Sequence, residues 1–457
     1  MPTITTVPVE PGQQARALWL STIAFTVCFA AWTIFSILGV QIKKDLGLTD
    51  FEFGLLVGTP ILTGSLVRLV LGVWTDQFGG RIVYTLVMLI AAAATWMLSY
   101  AYDYTTFLLA ALGVGMAGGS FAVGIAYVSK WYPKEKQGTA LGIFGAGNVG
   151  AAVTKFLAPV VMVALGWQAV AQIWSVALVV MAVLFFVLTK DDPDLAARRA
   201  AGVKPEPFMA MMAPLANAQV WRFSLYYFFV FGGFVALALW LPRYYVGVYG
   251  LDIVTAGMLG AAYSIPGSLF RILGGTLSDK LGARRVMYWT FWGSVVCTFL
   301  LSYPATKYVV TGARGPIEFE IAIGFVPFTL LTMALGFFMS LGKAAVYKHI
   351  PVYYPGRVGS VGGVVGLIGG LGGFVLPMAF GALNDLIGVW TSCFMLLFVI
   401  SVVSLVWMHL AIRSMDQTTY PGLAGPKDLP EAEALRDAAR LPRPNAAANA
   451  RAATPAE

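Results

Sequence analysis

The sequence predicts an all-α membrane protein of twelve transmembrane helices in two pseudo-symmetric six-helix halves. Its composition is 58% hydrophobic and 11% charged, with a mean hydropathy of +0.77, which lies outside the range of soluble domains. Long apolar stretches alternate with short charged turns. One motif occurs twice at the same spacing, and such a duplication is typical of transporters built from two related halves.

The repeated motif lies in the first half of the chain and again 203 residues later. The first copy reads Gly64-Ser65-Leu66-Val67-Arg68, followed by Gly72, Asp76, Gly79 and Arg81. The second reads Gly267-Ser268-Leu269-Phe270-Arg271, followed by Gly275, Asp279, Gly282 and Arg284. Each copy lies in a long apolar segment that ends in a charged turn, so each half should carry one copy at an equivalent place.

Twelve segments have the roughly 20 apolar residues that a bilayer crossing requires. They lie near 17–41, 53–75, 82–101, 105–129, 138–164, 167–189, 219–247, 253–277, 286–305, 320–346, 358–383 and 388–412. The first half is therefore predicted over 17–189 and the second over 219–413.

Three predicted segments lie outside the halves: an N-terminal segment (1–16), a polar linker (190–218) and a disordered tail rich in Ala, Pro and charge (414–457). Most lysines and arginines of the predicted loops fall on the side that carries both termini. The positive-inside rule then makes both termini cytoplasmic. No cleavable signal peptide is expected, because further spans follow the first one directly.

One arginine is predicted near the middle of the membrane in each half. Arg68 precedes Asp76 by eight residues, which places it roughly 12 Å from the boundary of a core about 30 Å thick. Arg271 precedes Asp279 by the same interval. A buried charge is costly and marks a functional site by default, although each arginine could also snorkel or pair locally.

Two arginines facing one cavity would form a site for an anion. The planar guanidinium donates two parallel hydrogen bonds that match a flat or tetrahedral oxyanion. No Asp or Glu lies within a turn or two of either arginine on its own segment. This pattern favours an anionic ligand over a sugar, an amine or a metal ion.

Other classes of function find little support. The net charge of +8 does not indicate nucleic-acid binding, because the sequence contains no basic cluster and no nucleic-acid-binding motif. No metal site and no cofactor is expected, because Cys28, Cys297 and Cys393 lie apart within apolar runs and His349 and His409 are isolated. We expect no enzyme, since no segment holds a nucleophile with a base.

The segment from Gly72 to Arg81 resembles the loop signature of the major facilitator superfamily, and its second copy strengthens the resemblance. Glycine permits a tight turn, and Asp and Arg can bond to exposed helix termini. The resemblance implies a latch on the cytoplasmic gate, formed by Gly72, Asp76, Gly79, Arg81, Gly275, Asp279, Gly282 and Arg284.

Glycines recur in the fifth and eleventh segments. Interior glycines weaken a helix by up to ~1 kcal/mol each relative to alanine. Two interpretations stay open: close packing, or helices that bend as the transporter alternates between its two sides. The glycines assigned to such a hinge are Gly142, Gly145, Gly147, Gly150, Gly363, Gly366 and Gly369.

The run Gly145-x-Gly147-Asn148-x-Gly150, combined with the two arginines and the glycines of the eleventh segment, resembles the nitrate/nitrite porter family. The resemblance covers residues 15–413 and implies that Arg68 and Arg271 grip nitrate or nitrite between the halves. It also implies substrate-binding roles for Asn148, Phe121, Tyr227 and Phe231. Tyr226 competes with Tyr227 for its place, and core packing remains an alternative for the two phenylalanines.

Two lysines depart from the family pattern. Lys155 lies seven residues beyond Asn148, inside the fifth segment, and Lys343 lies near the inner end of the tenth. Buried lysines can lose their proton because burial disfavours the charged form. Either lysine is a candidate for proton coupling, and snorkelling or bonding to a carbonyl is the alternative.

The sequence thus predicts a nitrate transporter, which also carries nitrite, in the inner membrane of the cell, acting as a monomer in nitrate assimilation. Uptake of an anion opposes an inside-negative potential by ~2.3 kcal/mol per charge per 100 mV, so the favoured mode is symport with protons. The alternatives are nitrate/nitrite antiport, transport of another small or organic anion, and a nitrate sensor without transport.

Overall fold

The computed structural model describes residues 11–132, 134–193, 195, 213–354 and 358–418. Most of the predicted tail, and parts of the predicted N-terminal segment and linker, lie outside these residues. The first half consists of α1 (Pro11–Trp32 and Phe35–Leu46), α2 (Asp50–Phe78), α3 (Gly80–Leu98), α4 (Tyr104–Trp131), α5 (Lys134–Gly145, continuing to Leu165) and α6 (Trp167–Leu188).

The second half repeats this order. It consists of α7 (Ala218–Tyr249), α8 (Ile253–Leu281), α9 (Ala283–Leu301), α10 (Phe325–Tyr353), α11 (Val358–Ile387) and α12 (Ser392–Thr418). Within the described ranges, every helix except α9 is long and apolar enough to cross a membrane by hydropathy. Helix α9 begins with Arg284 and Arg285, which lower its mean hydropathy, yet it packs between α10 and α12 as a full member of the bundle.

A hairpin of two strands, β1 (Thr306–Gly312) and β2 (Gly315–Ile321), joins α9 to α10. The sequence expectation of a helix starting at 320 was wrong, because Ile321 pairs with Thr306 and α10 begins at Phe325. A cross-strand pair of stacked rings, Tyr308 and Phe319 with centroids 5.3 Å apart, stabilises the hairpin.

The repeated motif has the same backbone form in both halves. Gly79 (φ 91°) and Gly282 (φ 89°) make the turns from α2 to α3 and from α8 to α9. Both lie in the left-handed region that favours glycine. We call the end of the bundle that holds these turns the Gly79 end, and the opposite end, where α2 begins at Asp50, the Asp50 end.

The halves meet along two symmetry-related seams, α2 against α11 and α5 against α8. At the Asp50 end the first seam is closed. A Cβ added to Gly54 would lie 2.2 Å from the carbonyl oxygen of Pro377, and one added to Gly381 would lie 2.1 Å from that of Asp50. The backbones of α2 and α11 therefore touch where only glycine fits.

Charged groups strengthen this closure. The Asp50 carboxylate pairs with Lys43 of its own half (3.0 Å) and with Arg243 of the other half (3.3 Å). Asp385 accepts hydrogen bonds from the backbone amides of Asp50 (3.1 Å) and Phe51 (2.8 Å), so one half caps a helix of the other. The structure is therefore a state that is closed at the Asp50 end.

Candidate anion site

The two motif arginines converge at the centre of the bundle. Arg68 on α2 and Arg271 on α8 are each 6% exposed. Their guanidinium carbons lie 5.2 Å and 5.3 Å from the centroid of the same ring, that of Phe121 on α4. The two guanidinium carbons are therefore at most about 10.5 Å apart, and each lies within the range of a cation–π contact with Phe121.

Each arginine has a guanidinium nitrogen that donates no hydrogen bond to the described residues. Arg68 donates from Nε to the carbonyl of Gly118 (3.4 Å) and from Nη1 to that of Gly366 (3.3 Å). Nη2 of Arg68 and Nη1 of Arg271 are buried and have no partner among the described residues. In the described part of the chain, no carboxylate lies within 4.0 Å of either guanidinium. Two buried cations with unused donors and no counter-ion are suited to an anion.

Aromatic rings surround the guanidinium of Arg68. Phe231 on α7 lies 5.3 Å from its carbon and stacks with Phe121 at 6.3 Å. Trp32 on α1 lies 5.5 Å away, and its indole nitrogen donates to the carbonyl of Pro60 (2.7 Å). These faces favour a cation electrostatically while they narrow the space beside it, which suits a small flat ligand.

The structure distinguishes between the two candidate tyrosines. The ring of Tyr227 stacks on Phe231 at 5.0 Å and 6°. The hydroxyls of both tyrosines are buried without a partner among the described residues, so the rings alone distinguish them. The ring of Tyr226 instead meets Phe291 of α9 edge to face at 5.2 Å. Tyr227 therefore belongs to the aromatic group beside Arg68, and Tyr226 belongs to the packing of the second half.

Asn148 is fully buried, and both polar atoms of its side chain lack a partner in the described part of the chain. It lies in a short 3-10 segment, Ala146–Val149, that interrupts α5. A 3-10 segment within a longer helix often marks a hinge or a strained site. Two more irregular segments border the site: the 3-10 segment Gly115–Gly119 in α4 and the π-helical segment Phe228–Gly233 in α7.

The glycines make room for the site side chains. A Cβ on Gly145 would lie 2.9 Å from Nε of Arg271, and one on Gly369 would lie 2.2 Å from the Tyr227 ring. The same test leaves no room at Gly147 (2.6 Å) and Gly150 (2.1 Å). At Gly366 only the Tyr347 hydroxyl comes close, at 2.7 Å, and Gly142 and Gly363 have ordinary contacts of 3.9 and 3.6 Å. Close packing thus accounts for most of these glycines, and their bending remains a prediction.

Sequence reasoning missed three side chains next to the arginines. Tyr347 on α10 meets the Tyr227 ring edge to face at 4.9 Å, and its hydroxyl donates to Gly362 (3.3 Å). Ser65 has an unpartnered buried hydroxyl and would meet a Cβ on Gly370 at 2.4 Å. Trp32 is the third. Ser65 lies inside the repeated motif and offered a signal, but Trp32 and Tyr347 carry none.

At the Gly79 end, the loop residues take part in contacts within each half. Asp76 pairs with Lys130 (2.6 Å), which also reaches Asp192 (3.3 Å). In the second half, Asp279 pairs with Lys348 of the same half (2.7 Å). Both loop aspartates thus bond to lysine side chains; the expected contact with a helix terminus is made by Arg81, which donates to the Phe186 carbonyl (2.8 and 2.6 Å).

The remaining loop residues are Arg284, Gly72 and Gly275. Arg284 is 1% exposed and donates to the hydroxyl of Tyr353 (3.1 Å). Gly72 and Gly275 have no atom within 4 Å of an added Cβ, so steric need does not explain either glycine.

The two lysines are both buried but make different contacts. Lys155 donates to the carbonyl of Ala151 (3.0 Å) and to the hydroxyl of Ser264 (3.0 Å), which belongs to the other half. Lys343 donates to the carbonyl of Gly267 and lies 3.4 Å from the centroid of Phe234, and both of these partners belong to its own half.

A bundle of two repeated six-helix halves around a central polar site defines a secondary transporter of the membrane. The family model of the Major Facilitator Superfamily matches residues 20–313 and 255–445 of this chain. A bacterial homolog of the human lysosomal transporter Spinster, solved in an inward-facing and occupied conformation, has a TM-score of 0.63 with 18% identity, over 88% of this chain and 98% of that one. At that identity the likeness concerns the fold alone.

Two curated relatives narrow the class. The probable nitrate/nitrite antiporter NarK1 of Thermus thermophilus is 44% identical over 89% of this chain and 94% of the relative. The nitrite extrusion protein of Bacillus subtilis is 32% identical over 89% of this chain and 98% of the relative. The chain belongs to the nitrate/nitrite porter family of the major facilitator superfamily. It is a multi-pass integral membrane protein and a transporter, as the sequence predicted.

Proposed function

We propose that the protein carries nitrate, and also nitrite, across the membrane by alternating access. The observation that carries the proposal is the pair of buried guanidinium groups on Phe121, each with an unused Nη donor and no carboxylate within 4.0 Å in the described residues. A planar oxyanion can accept from both arginines at once and neutralise their mutual repulsion. The names of the relatives support nitrate and nitrite as these anions.

Further side chains assist binding in this proposal. Asn148 and Tyr227 offer buried polar atoms that have no partner among the residues that the structure describes, and an anion would satisfy the amide and hydroxyl donors. Phe121 and Phe231 restrict the width of the site through their stacked rings. Larger organic anions would need a wider cavity, which makes them the weaker alternative.

Alternating access follows from the two seams. With the Asp50 end closed, the anion leaves or reaches the site through the Gly79 end, and rocking of the halves then exchanges the two states. The ion pairs at Asp76 and Asp279 hold helix ends together within each half, so each half can move as one body. The glycines of α5 and α11 would absorb the change in backbone contact.

We propose nitrate–proton symport as the mode of uptake. Import of one anion against an inside-negative potential costs ~2.3 kcal/mol per 100 mV; one accompanying proton cancels this electrical cost, so that a pH gradient can drive uptake, and a second proton makes the cycle electrically favourable. Lys155 and Lys343 are the candidate proton carriers. Antiport of nitrate and nitrite is the second candidate, favoured by the name of the Thermus thermophilus relative, a probable nitrate/nitrite antiporter.

The setting of this transport is proposed as well. The lysine and arginine bias of the loops supports cytoplasmic termini, which makes the Gly79 end cytoplasmic and the Asp50 end external. The protein would act as a monomer in the inner membrane and supply nitrate for assimilation.

Flux measurements on purified protein in proteoliposomes test the function. We expect nitrate uptake into vesicles loaded with nitrate or nitrite, and competition by unlabelled nitrite but not by bulky organic anions. Uptake into anion-free vesicles under an inward proton gradient would support symport. Uptake that requires internal anion would support antiport. Nitrate binding without any flux would support a nitrate sensor instead of a transporter.

A further inference from the structure

The sequence offers Lys155 and Lys343 equally as candidates for proton coupling. Among the described residues, only Lys155 makes a hydrogen bond from one half to the other. The ammonium of Lys155, on α5, donates to the hydroxyl of Ser264 on α8 at 3.0 Å. A Cβ on Gly257 would lie 2.4 Å from the Lys155 carbonyl oxygen, and one on Gly260 would lie 3.1 Å from its Cδ. The lysine is therefore enclosed by the seam between α5 and α8, which must change when the halves rock.

The position of this contact along the bundle suits a link to the anion. Lys155 lies seven residues from Asn148, and Ser264 lies seven residues from Arg271, so both are about 10 Å from the anion site toward the Asp50 end. A unit negative charge bound there attracts the ammonium; at an effective dielectric constant of ~20 this attraction amounts to tighter binding by on the order of tenfold.

The surroundings of Lys155 leave its charge without a counter-ion in the described residues. The helices packed against this part of α5 are α1, α6 and α8; their titratable or charged groups are Arg16, Cys28, Lys43, Lys44 and Asp45 on α1 and Tyr263, Arg271, Asp279 and Lys280 on α8. Lys43 and Arg243 pair with Asp50 at the end of the bundle, and Tyr263 donates to the Phe234 carbonyl at 3.3 Å. The ammonium has only the Ala151 carbonyl and the Ser264 hydroxyl as partners.

We infer that Lys155 is the proton-carrying residue that couples anion transport to a pH gradient, whereas Lys343 is structural; this inference rests on the proposed symport. When the halves part at the Asp50 end, the Lys155 amine takes a proton from that solution, and the ammonium favours anion binding at the arginines. After closure of that end, the proton leaves Nζ for water on the Gly79 side together with the anion. Ser264 accepts from the ammonium and keeps its own donation to Gly260 (3.1 Å).

The test compares Lys155→Gln with Lys343→Gln in the full chain. Both variants should bind nitrate and exchange it across the membrane at zero pH gradient. Uptake driven by a proton gradient into anion-free vesicles should fall at least tenfold in Lys155→Gln and stay within about twofold of wild type in Lys343→Gln. Gradient-driven uptake that survives in Lys155→Gln, or that is lost in Lys343→Gln alone, overturns the inference.

Two further measurements separate failure of the inference from failure of the proposed function. Wild-type protein that exchanges no nitrate at all overturns the transport proposal itself, whereas exchange without any gradient-driven uptake overturns only the coupling. In wild type, nitrate affinity should weaken about tenfold as the pH rises through the titration of Lys155, and Lys155→Gln should show no such change. Ser264→Ala keeps the lysine and should move this transition to lower pH, because the ammonium loses an acceptor; an unmoved transition contradicts the assignment.

Discussion

Replacement of Gly54 by alanine tests directly whether the closed Asp50 end is one of two alternating states. The new Cβ would lie 2.2 Å from the carbonyl oxygen of Pro377 and 2.7 Å from its carbonyl carbon. Ordinary contacts begin near 3.4 Å, so α2 and α11 must separate by about 1 Å. Both contacts join backbone of one half to backbone of the other, and no side-chain rotation can relieve them.

The expected size of the effect follows from overpacking, which costs about 1–3 kcal/mol in a tightly packed core. This cost falls only on the state that is closed at the Asp50 end. The helix-forming advantage of alanine over glycine, up to ~1 kcal/mol, applies to both states and cancels. The equilibrium should therefore shift toward the state open at the Asp50 end by about 5–150-fold.

Distance measurement between spin labels detects this shift. Phe51 and Leu386 are exposed, at 43% and 83%, and lie in opposite halves at the Asp50 end. Labels at these positions, in a background without Cys28, Cys297 and Cys393, should show a longer distance in Gly54→Ala. The matched control is Gly362→Ala on α11, whose Cβ would have its nearest contact at 3.8 Å. An unchanged distance distribution in Gly54→Ala, in folded protein, would refute the steric reasoning.

Three other substitutions address the site and the loops. Arg68→Lys keeps the charge but loses the planar donor pair, so nitrate affinity should fall roughly 10–150-fold, for a charged hydrogen bond of about 1.5–3 kcal/mol; near-normal flux would contradict the anion site. Asp76→Asn breaks the exposed pair with Lys130 at a cost of up to ~1 kcal/mol, so transport should slow while the dissociation constant stays within about twofold; loss of binding with intact exchange between states would exclude a latch. Tyr227→Phe should weaken binding about 2–10-fold through loss of one hydrogen bond, and Tyr226→Phe should not, as isothermal titration can establish.

The sequence by itself determined the membrane fold and led to a prediction of how deep the two charges lie in the membrane. The hydropathy of the chain requires helices whose backbone bonds are satisfied internally in lipid. The 203-residue repeat located both positive-φ turns, at Gly79 and Gly282, because only glycine adopts that backbone freely. The spacing from Arg68 to Asp76 predicts that depth through the fixed rise of a helix, and the depth stays a prediction.

Only the tertiary structure decided which side chains meet. Trp32 and Tyr347 lie far from Arg68 in sequence, and their approach depends on how each helix is rotated in the bundle, which local periodicity does not report. The rotation of α7 likewise separates Tyr227 from its neighbour Tyr226. The contact of Lys155 with Ser264, across two halves and 109 residues, arises only when both helices pack at the seam. Local sequence determines helices and turns because those forces act between near neighbours, whereas the site forms from packing between distant segments.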